Sequence, residues 1–98
     1  MIEKLEEIAQ ILPDVAVGQL FGKPSIKLGK AHFVCGYQEC LVVKIGREAI
    51  EKSTSKYEHA RLFDPSGKGR PMKDWLQLPQ EYEEDWLKLA KQAYKFVK

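Results

Sequence analysis

The sequence predicts one α+β domain, with an antiparallel sheet of about five strands flanked by an N-terminal helix, a short middle helix and a long C-terminal helix. Two observations support this class. Three short apolar runs between residues 21 and 45 are punctuated by Pro24, by residues 29–30 and by residues 36–39, which is the pattern of an antiparallel meander. Apolar residues at helical spacing are instead found at the two ends of the chain.

The first elements follow from periodicity and from two prolines. Apolar side chains recur at helical spacing over residues 2–12, with charged and amide side chains between them, so we expect an amphipathic helix that Pro13 ends. Residues 15–21 predict the first strand, which Gly18 interrupts. Pro24 should lie at a strand edge or a bulge, because proline has no N–H to donate to a ladder.

The middle of the chain predicts a hairpin and a central strand. Residues 25–28 and 31–37 should pair across a tight turn in which Gly29 adopts a positive φ. Residues 40–45 are apolar except for Lys44, which is typical of a central strand that is covered on part of both faces.

Strand alternation assigns side chains of this hairpin to the two faces of the sheet. Phe33 and Cys35 should share one face, and His32 and Val34 should share the other. On the preceding strand, Lys27 should face away from its two apolar neighbours.

A short helix and two further strands follow the central strand. Residues 46–53 predict a short surface helix with little apolar content, and residues 57–63 predict a partial strand. After Asp64 and Pro65, residues 66–71 form a basic, glycine-containing connection that we expect to be flexible. Residues 72–78 predict a final strand in which Trp75 is the large buried anchor.

The C-terminal helix has the clearest pattern in the chain. Pro79 suits a first helical turn, acidic residues follow it, and lysines gather toward the end, which matches the helix macrodipole at both ends. Six apolar and aromatic residues from Tyr82 to Val97 form one stripe that should pack on the sheet.

Composition restricts the class of protein. Ninety-eight residues can bury enough surface to fold as one domain, and no apolar run reaches the roughly 18 residues that a membrane span needs. The acidic start resembles neither a secretory signal nor a transit peptide, so we expect a cytoplasmic protein without a membrane partner. The net charge is only +2, yet residues 23–73 contain eleven basic and five acidic residues. That surplus predicts a modest positive face.

The order of several short motifs resembles a known family. They are Phe21–Gly22, Gly29–Lys30 before Phe33, residues 41–45, residues 63–67, residues 75–79 and the helix end at residues 89–93. Together they resemble the TfoX N-terminal domain family and are similar to the MmcQ/YjbR-like proteins over almost the whole chain. The resemblance implies a compact α+β domain of secretion-chaperone-like architecture, with residues 1–98 as a single TfoX N-terminal-like domain. It also implies a bacterial regulator, because TfoX proteins regulate competence and gene expression and YjbR-like proteins are often described as DNA-binding.

Residue types that carry chemistry are too sparse to predict an enzyme. Cys35 and Cys40, with His32 nearby and His59 farther away, fall short of a compact zinc motif and match no thiol-nucleophile signature, so structural thiols are expected. Residues 66–70 superficially resemble a phosphate loop but lack its Gly-Lys-Ser/Thr ending. We therefore predict no catalytic residue, no metal and no cofactor.

The sequence favours a small binding or regulatory module that engages a protein partner or DNA. Homodimerisation through a sheet edge or the C-terminal helix is an open alternative, as is a small-ligand binder or enzyme with a pocket beside the sheet. Lys44 is either a functional cation or one whose stem packs on the sheet. If DNA is the partner, the predicted contacts are Lys23, Lys27, Lys30, Lys68, Arg70 and Lys73.

Overall fold

The computed structural model describes residues 2–98. Its elements, in chain order, are α1 (Ile2–Ile11), β1 (Val15–Leu20), β2 (Lys23–Leu28), β3 (Ala31–Tyr37), β4 (Cys40–Lys44), α2 (Arg47–Ser53), β5 (Arg61–Phe63), β6 (Met72–Leu78) and α3 (Trp86–Val97). The strands form one antiparallel sheet in the order β1-β2-β3-β4-β6-β5. The predicted α+β class with three helices is confirmed, and the sheet has six strands rather than about five.

Left-handed turn residues close the hairpins of the meander. Phe21 and Gly22 join β1 to β2 with φ values of 55° and 73°, and Gln38 and Glu39 join β3 to β4 with values of 48° and 62°. Two-residue turns of this hand match the right-handed twist of the strands that they connect. Gly29, between β2 and β3, has the predicted positive φ, at 62°.

The buried residues form two clusters on opposite sides of the sheet. The larger cluster contains the apolar residues of all three helices and those of one sheet face. The smaller cluster consists of Cys35, Val42, Phe63 and Trp75, and no residue of a described helix belongs to it. We call the sheet surface on which these four side chains lie the helix-free face. Trp75 is thus buried, as predicted, but away from the helices.

A β-bulge makes the predicted face of Phe33 wrong. Val34 and His32 pair with consecutive residues of β2, so Phe33 is an extra residue between them. As a result, Phe33 and Val34 both pack in the helix-side core, where the Phe33 ring lies 5.7 Å from that of Tyr94. Beyond the bulge Cys35 lies on the helix-free face, opposite to Phe33, because one inserted residue reverses the alternation.

The C-terminal helix covers the sheet as its stripe predicted. A 3-10 turn over Gln80–Asp85 precedes α3, whose Trp86, Leu89 and Ala93 are buried. Tyr94 is also buried in this core, and its hydroxyl donates a hydrogen bond to the Pro13 carbonyl at 3.0 Å. Within residues 2–98, no helix combines the length and the apolar character that crossing a membrane requires.

Candidate functional site

Charge is distributed unevenly between the strands and the helices. The six strands contain five basic residues and a single carboxylate, that of Asp74. Asp74 lines a groove together with Gly46 and with Phe96 of α3, so it belongs to the helix side of the sheet. The helix-free face therefore carries cations and no carboxylate from any strand.

Cross-strand pairing places two lysines on the helix-free face. Lys23 pairs with Leu20, which packs against the small buried cluster, and Lys44 pairs with Trp75, which belongs to that cluster. Residues directly opposite each other in antiparallel strands share a face. Lys44 is half-buried at the end of β4, a position where a lysine can pack its stem on the sheet and extend its ammonium group to the surface.

Lys27 and Arg61 lie on the same face by the same reasoning. Lys27 is two residues after Ser25, which pairs with Cys35 of the small cluster. Arg61 pairs with Gln77, which in turn pairs with a residue of that cluster across β4 and β6. Four cations, on β2, β4 and β5, thus surround one buried apolar cluster.

These four cations have no carboxylate partner within residues 2–98. Every ion pair in this part of the chain is formed by Lys4, Lys52, Lys56 or His59, none of which lies on a strand. The Lys23 ammonium instead lies 5.0 Å from the centroid of the Tyr37 ring. This cation–π contact orients the charge without neutralising it. Glu39, in the turn after β3, lines a groove together with Lys23 and Tyr37 but forms no ion pair with Lys23.

The predicted contact residues are spread over this face and its borders. Lys23 and Lys27 lie on it, and Lys30 is in the turn between β2 and β3. Lys68 and Arg70 lie in the loop between β5 and β6, whose two flanking residues pack in or against the small cluster, and Lys73 is in β6. The predicted set did not include Lys44 and Arg61, because only the strand order places them on the same face as Lys23 and Lys27. The nucleic-acid contacts of the six residues stay a prediction.

The loop over residues 64–71 is organised by one carboxylate. Asp64 accepts hydrogen bonds from the Ser66 hydroxyl and from the backbone N–H groups of Gly67 and Gly69, at 3.0 to 3.1 Å. Desolvation opposes the ionisation of Asp64, but these hydrogen bonds outweigh it and lower the pKa of the carboxyl. The sequence predicted a flexible connection and missed this Asp-centred turn, for which Asp64 followed by Ser66 was the available signal.

The two cysteines are free thiols in different surroundings. Cys35 is buried, and desolvation raises the pKa of its thiol to about 11, despite the opposing charge of Lys23. Cys40 is half-buried and accepts a hydrogen bond from the Gln77 amide at 3.6 Å. A protonated, buried thiol is a poor nucleophile and a poor metal ligand. Residues 2–98 contain no group of three His, Cys, Asp or Glu side chains placed to hold a metal ion.

A serine and a histidine that the sequence did not single out as a pair are in contact. The Ser25 hydroxyl donates to the Val34 carbonyl at 2.8 Å and lies 2.8 Å from Nδ1 of His32. Because that hydroxyl has one proton, His32 is the donor in the second contact. Burial, and secondarily the charge of Lys27, lowers the pKa of His32. Ser25 is fully buried and pairs with Cys35 next to the β2–β3 bulge, so its hydroxyl is not exposed to solvent.

The fold and this site together define an α+β domain with a cationic, helix-free sheet surface. The chain matches no known family model, no curated protein and no solved structure. The TfoX resemblance therefore stays a prediction.

Proposed function

We propose that this protein is a small binding and regulatory module that contacts nucleic acid through its helix-free face. The observation that carries the proposal is the set of four cations, Lys23, Lys27, Lys44 and Arg61, on a face without a strand carboxylate. Lysine and arginine side chains supply most of the contacts that proteins make to phosphates. The cations of Lys68 and Arg70, on the adjoining loop, extend the same surface.

The spread of the cations favours a polyanion over a small anion. In the strand order, β2 and β5 are separated by four strand spacings, which is about 19 Å at roughly 4.8 Å per spacing. A single phosphate or carboxylate cannot contact both Lys23 and Arg61 across that distance. A nucleic-acid backbone presents repeated charges over such a length and can contact several cations at once.

The regulatory part of the proposal rests on the TfoX resemblance. A bacterial, cytoplasmic module similar to the TfoX N-terminal domain would act through DNA contacts rather than through a reaction. An acidic protein partner for the same face is the outcome that competes with DNA. The enzyme or small-ligand alternative is tested by a thermal-shift screen with nucleotides and metabolites, in which our proposal expects no stabilisation.

The test is a salt-dependent binding titration. Fluorescence anisotropy of a labelled DNA duplex, and of one of its strands alone, is measured between about 50 and 200 mM salt. Four phosphate contacts predict a log–log slope of about −3.6 for the duplex and about −2.8 for the single strand. The triple variant of Lys23, Lys27 and Lys44, each changed to Gln, should reduce the duplex slope to about −0.9.

A charge-matched variant separates the face from net charge. Lys88, Lys91 and Lys95 lie on α3, and their triple change to Gln removes the same charge from the helix side. This control should bind with nearly the original slope. If both triple variants reduced the slope equally, net charge, and not the helix-free face, would control DNA binding. Absence of DNA binding at about 50 mM salt would reject the nucleic-acid proposal.

A further inference from the structure

The two edges of the sheet differ in how they are protected. Natural edge strands avoid pairing with other chains by being short, or by carrying charge, proline or a bulge. β5 has three residues and an exposed Arg61. β1 has six residues, Val-Ala-Val-Gly-Gln-Leu, with no charge and no proline, and its register with β2 is unbroken. The β1 edge therefore has none of these protections.

The hairpin geometry shows which backbone groups this edge presents. The two-residue turn makes Leu20 and Lys23 the hydrogen-bonded pair that closes the β1–β2 hairpin. Because such pairs alternate along an antiparallel ladder, Val15, Val17 and Gln19 direct their backbone N–H and C=O groups away from β2. Every second residue of β1 thus presents one donor and one acceptor to a further strand.

An open groove of mixed polarity lies beside this edge on the helix side. It is lined by Glu6, Ala9 and Gln10 of α1 and by Val15 and Val17 of β1. Val17 is 38% exposed. A strand added to β1 would cover the exposed part of Val17 and leave the polar side chains of α1 above it in contact with solvent.

We propose that two copies of this chain pair through β1 to form one twelve-stranded sheet. An antiparallel register centred on Val17 places Val17 opposite its counterpart and Val15 opposite Gln19 of the second copy. All outward backbone groups of both strands are then paired in about six hydrogen bonds. The strand fits itself because it is uncharged, so no like charges face each other across the symmetry axis.

In this dimer, equivalent faces of the two sheets point to the same side. The twofold axis is perpendicular to the sheet, so both sets of helices lie on one side and both helix-free faces on the other. The cations of the two copies then form one continuous surface. The dimer itself rests only on the β1 edge and is tested without nucleic acid.

Sedimentation velocity over about 1 to 100 μM tests the proposal. The wild-type chain should double its mass with rising concentration, and the Val17→Pro variant should stay monomeric. Proline at this position removes an outward N–H and costs no hydrogen bond to β2. The matched control Val17→Thr keeps both the N–H and the β-branched shape, and it should dimerise like the wild type.

Two further measurements keep the test decisive if Val17→Pro fails to fold. Val17→Lys places like charges opposite each other across the axis and should weaken dimerisation several-fold. Amide exchange of Val15, Val17 and Gln19 should slow with rising protein concentration, while exchange elsewhere on the sheet stays constant. A wild-type chain that is monomeric at about 100 μM overturns the proposal. So does a dimer that persists in a folded Val17→Pro variant.

Discussion

Replacing Gly46 with alanine tests how closely α3 packs against the start of α2. Gly46 has φ 89° and ψ 155°, a backbone conformation that is almost restricted to glycine. A Cβ atom there would lie 2.6 Å from Cε1 of Phe96 and 3.1 Å from its Cζ. The substitution therefore strains the backbone and also displaces an aromatic ring.

The two effects can be estimated separately. A non-glycine residue in this conformation costs about 1–3 kcal/mol. Phe96 is 50% exposed, so its ring can swing outward at the cost of its remaining burial, about 1 kcal/mol. The Gly46→Ala variant should thus lose about 2–4 kcal/mol of unfolding free energy. For a domain of this size, the corresponding decrease in melting temperature is about 8–32 °C, at about 4–8 °C per kcal/mol.

Urea unfolding, followed by the fluorescence of the buried Trp75 and Trp86, measures these losses. In a Phe96→Ala background only the backbone cost of Gly46→Ala should remain. The double variant should therefore lose about 1 kcal/mol less unfolding free energy than the sum of the losses of the two single variants. Gly29 also has a positive φ, but no atom lies within 4 Å of the place that a Cβ would take. The control Gly29→Ala should therefore lose only about 1 kcal/mol of unfolding free energy. A Gly46→Ala loss no greater than that of the control would refute the contact with Phe96.

Three other predictions concern single side chains. Iodoacetamide at about pH 8 should alkylate Cys40 in the folded protein and reach Cys35 only in denaturant, because burial raises the pKa of the Cys35 thiol to about 11; equal labelling would contradict this. A hydrogen bond with Glu81, and secondarily its charge, raises the pKa of His59. The resulting stabilisation is complete below the unfolded pKa of about 6.5 and is lost as pH rises through the folded pKa, so Glu81→Gln should lower the melting temperature at about pH 5.5 and not at about pH 8.5. Tyr57→Phe removes the 2.8 Å hydrogen bond that the Tyr57 hydroxyl donates to the Asp85 carboxylate, and it should lower the unfolding free energy measured in urea by about 1–2 kcal/mol. An unchanged unfolding free energy would show that water replaces the lost hydroxyl.

Local patterns predicted the elements well because each element has its own period. The bounds of β6 at Met72–Leu78 match the prediction, and those of α1 differ from it by one residue at the C-terminal end. The alternation argument failed only where the period itself breaks, at the bulge that inserts Phe33 into β3. Nothing in the local sequence marks that insertion, because it is fixed by the pairing of β3 with β2 rather than by β3 alone.

The candidate face could be predicted only in part, because its charge is a property of the strand order. Lys23 and Lys27 share a strand, so their common face follows from alternation. Lys44 and Arg61 come from strands that are apart in the chain, and only the placement of β6 between β4 and β5 puts them on the same surface. Contacts between distant segments of this kind are not encoded in any local pattern.

The net charge of +2 conceals a separation of charge across the sheet. On the helix side of the sheet, Lys4 pairs with Glu83 and Lys56 pairs with Asp85, and both carboxylates lie in the turn before α3. The strand cations form no ion pair within residues 2–98, and the only carboxylate in the strands is that of Asp74, on the helix side. The strands of the helix-free face therefore present positive charge in a nearly neutral chain, and a surface of this kind attracts anions.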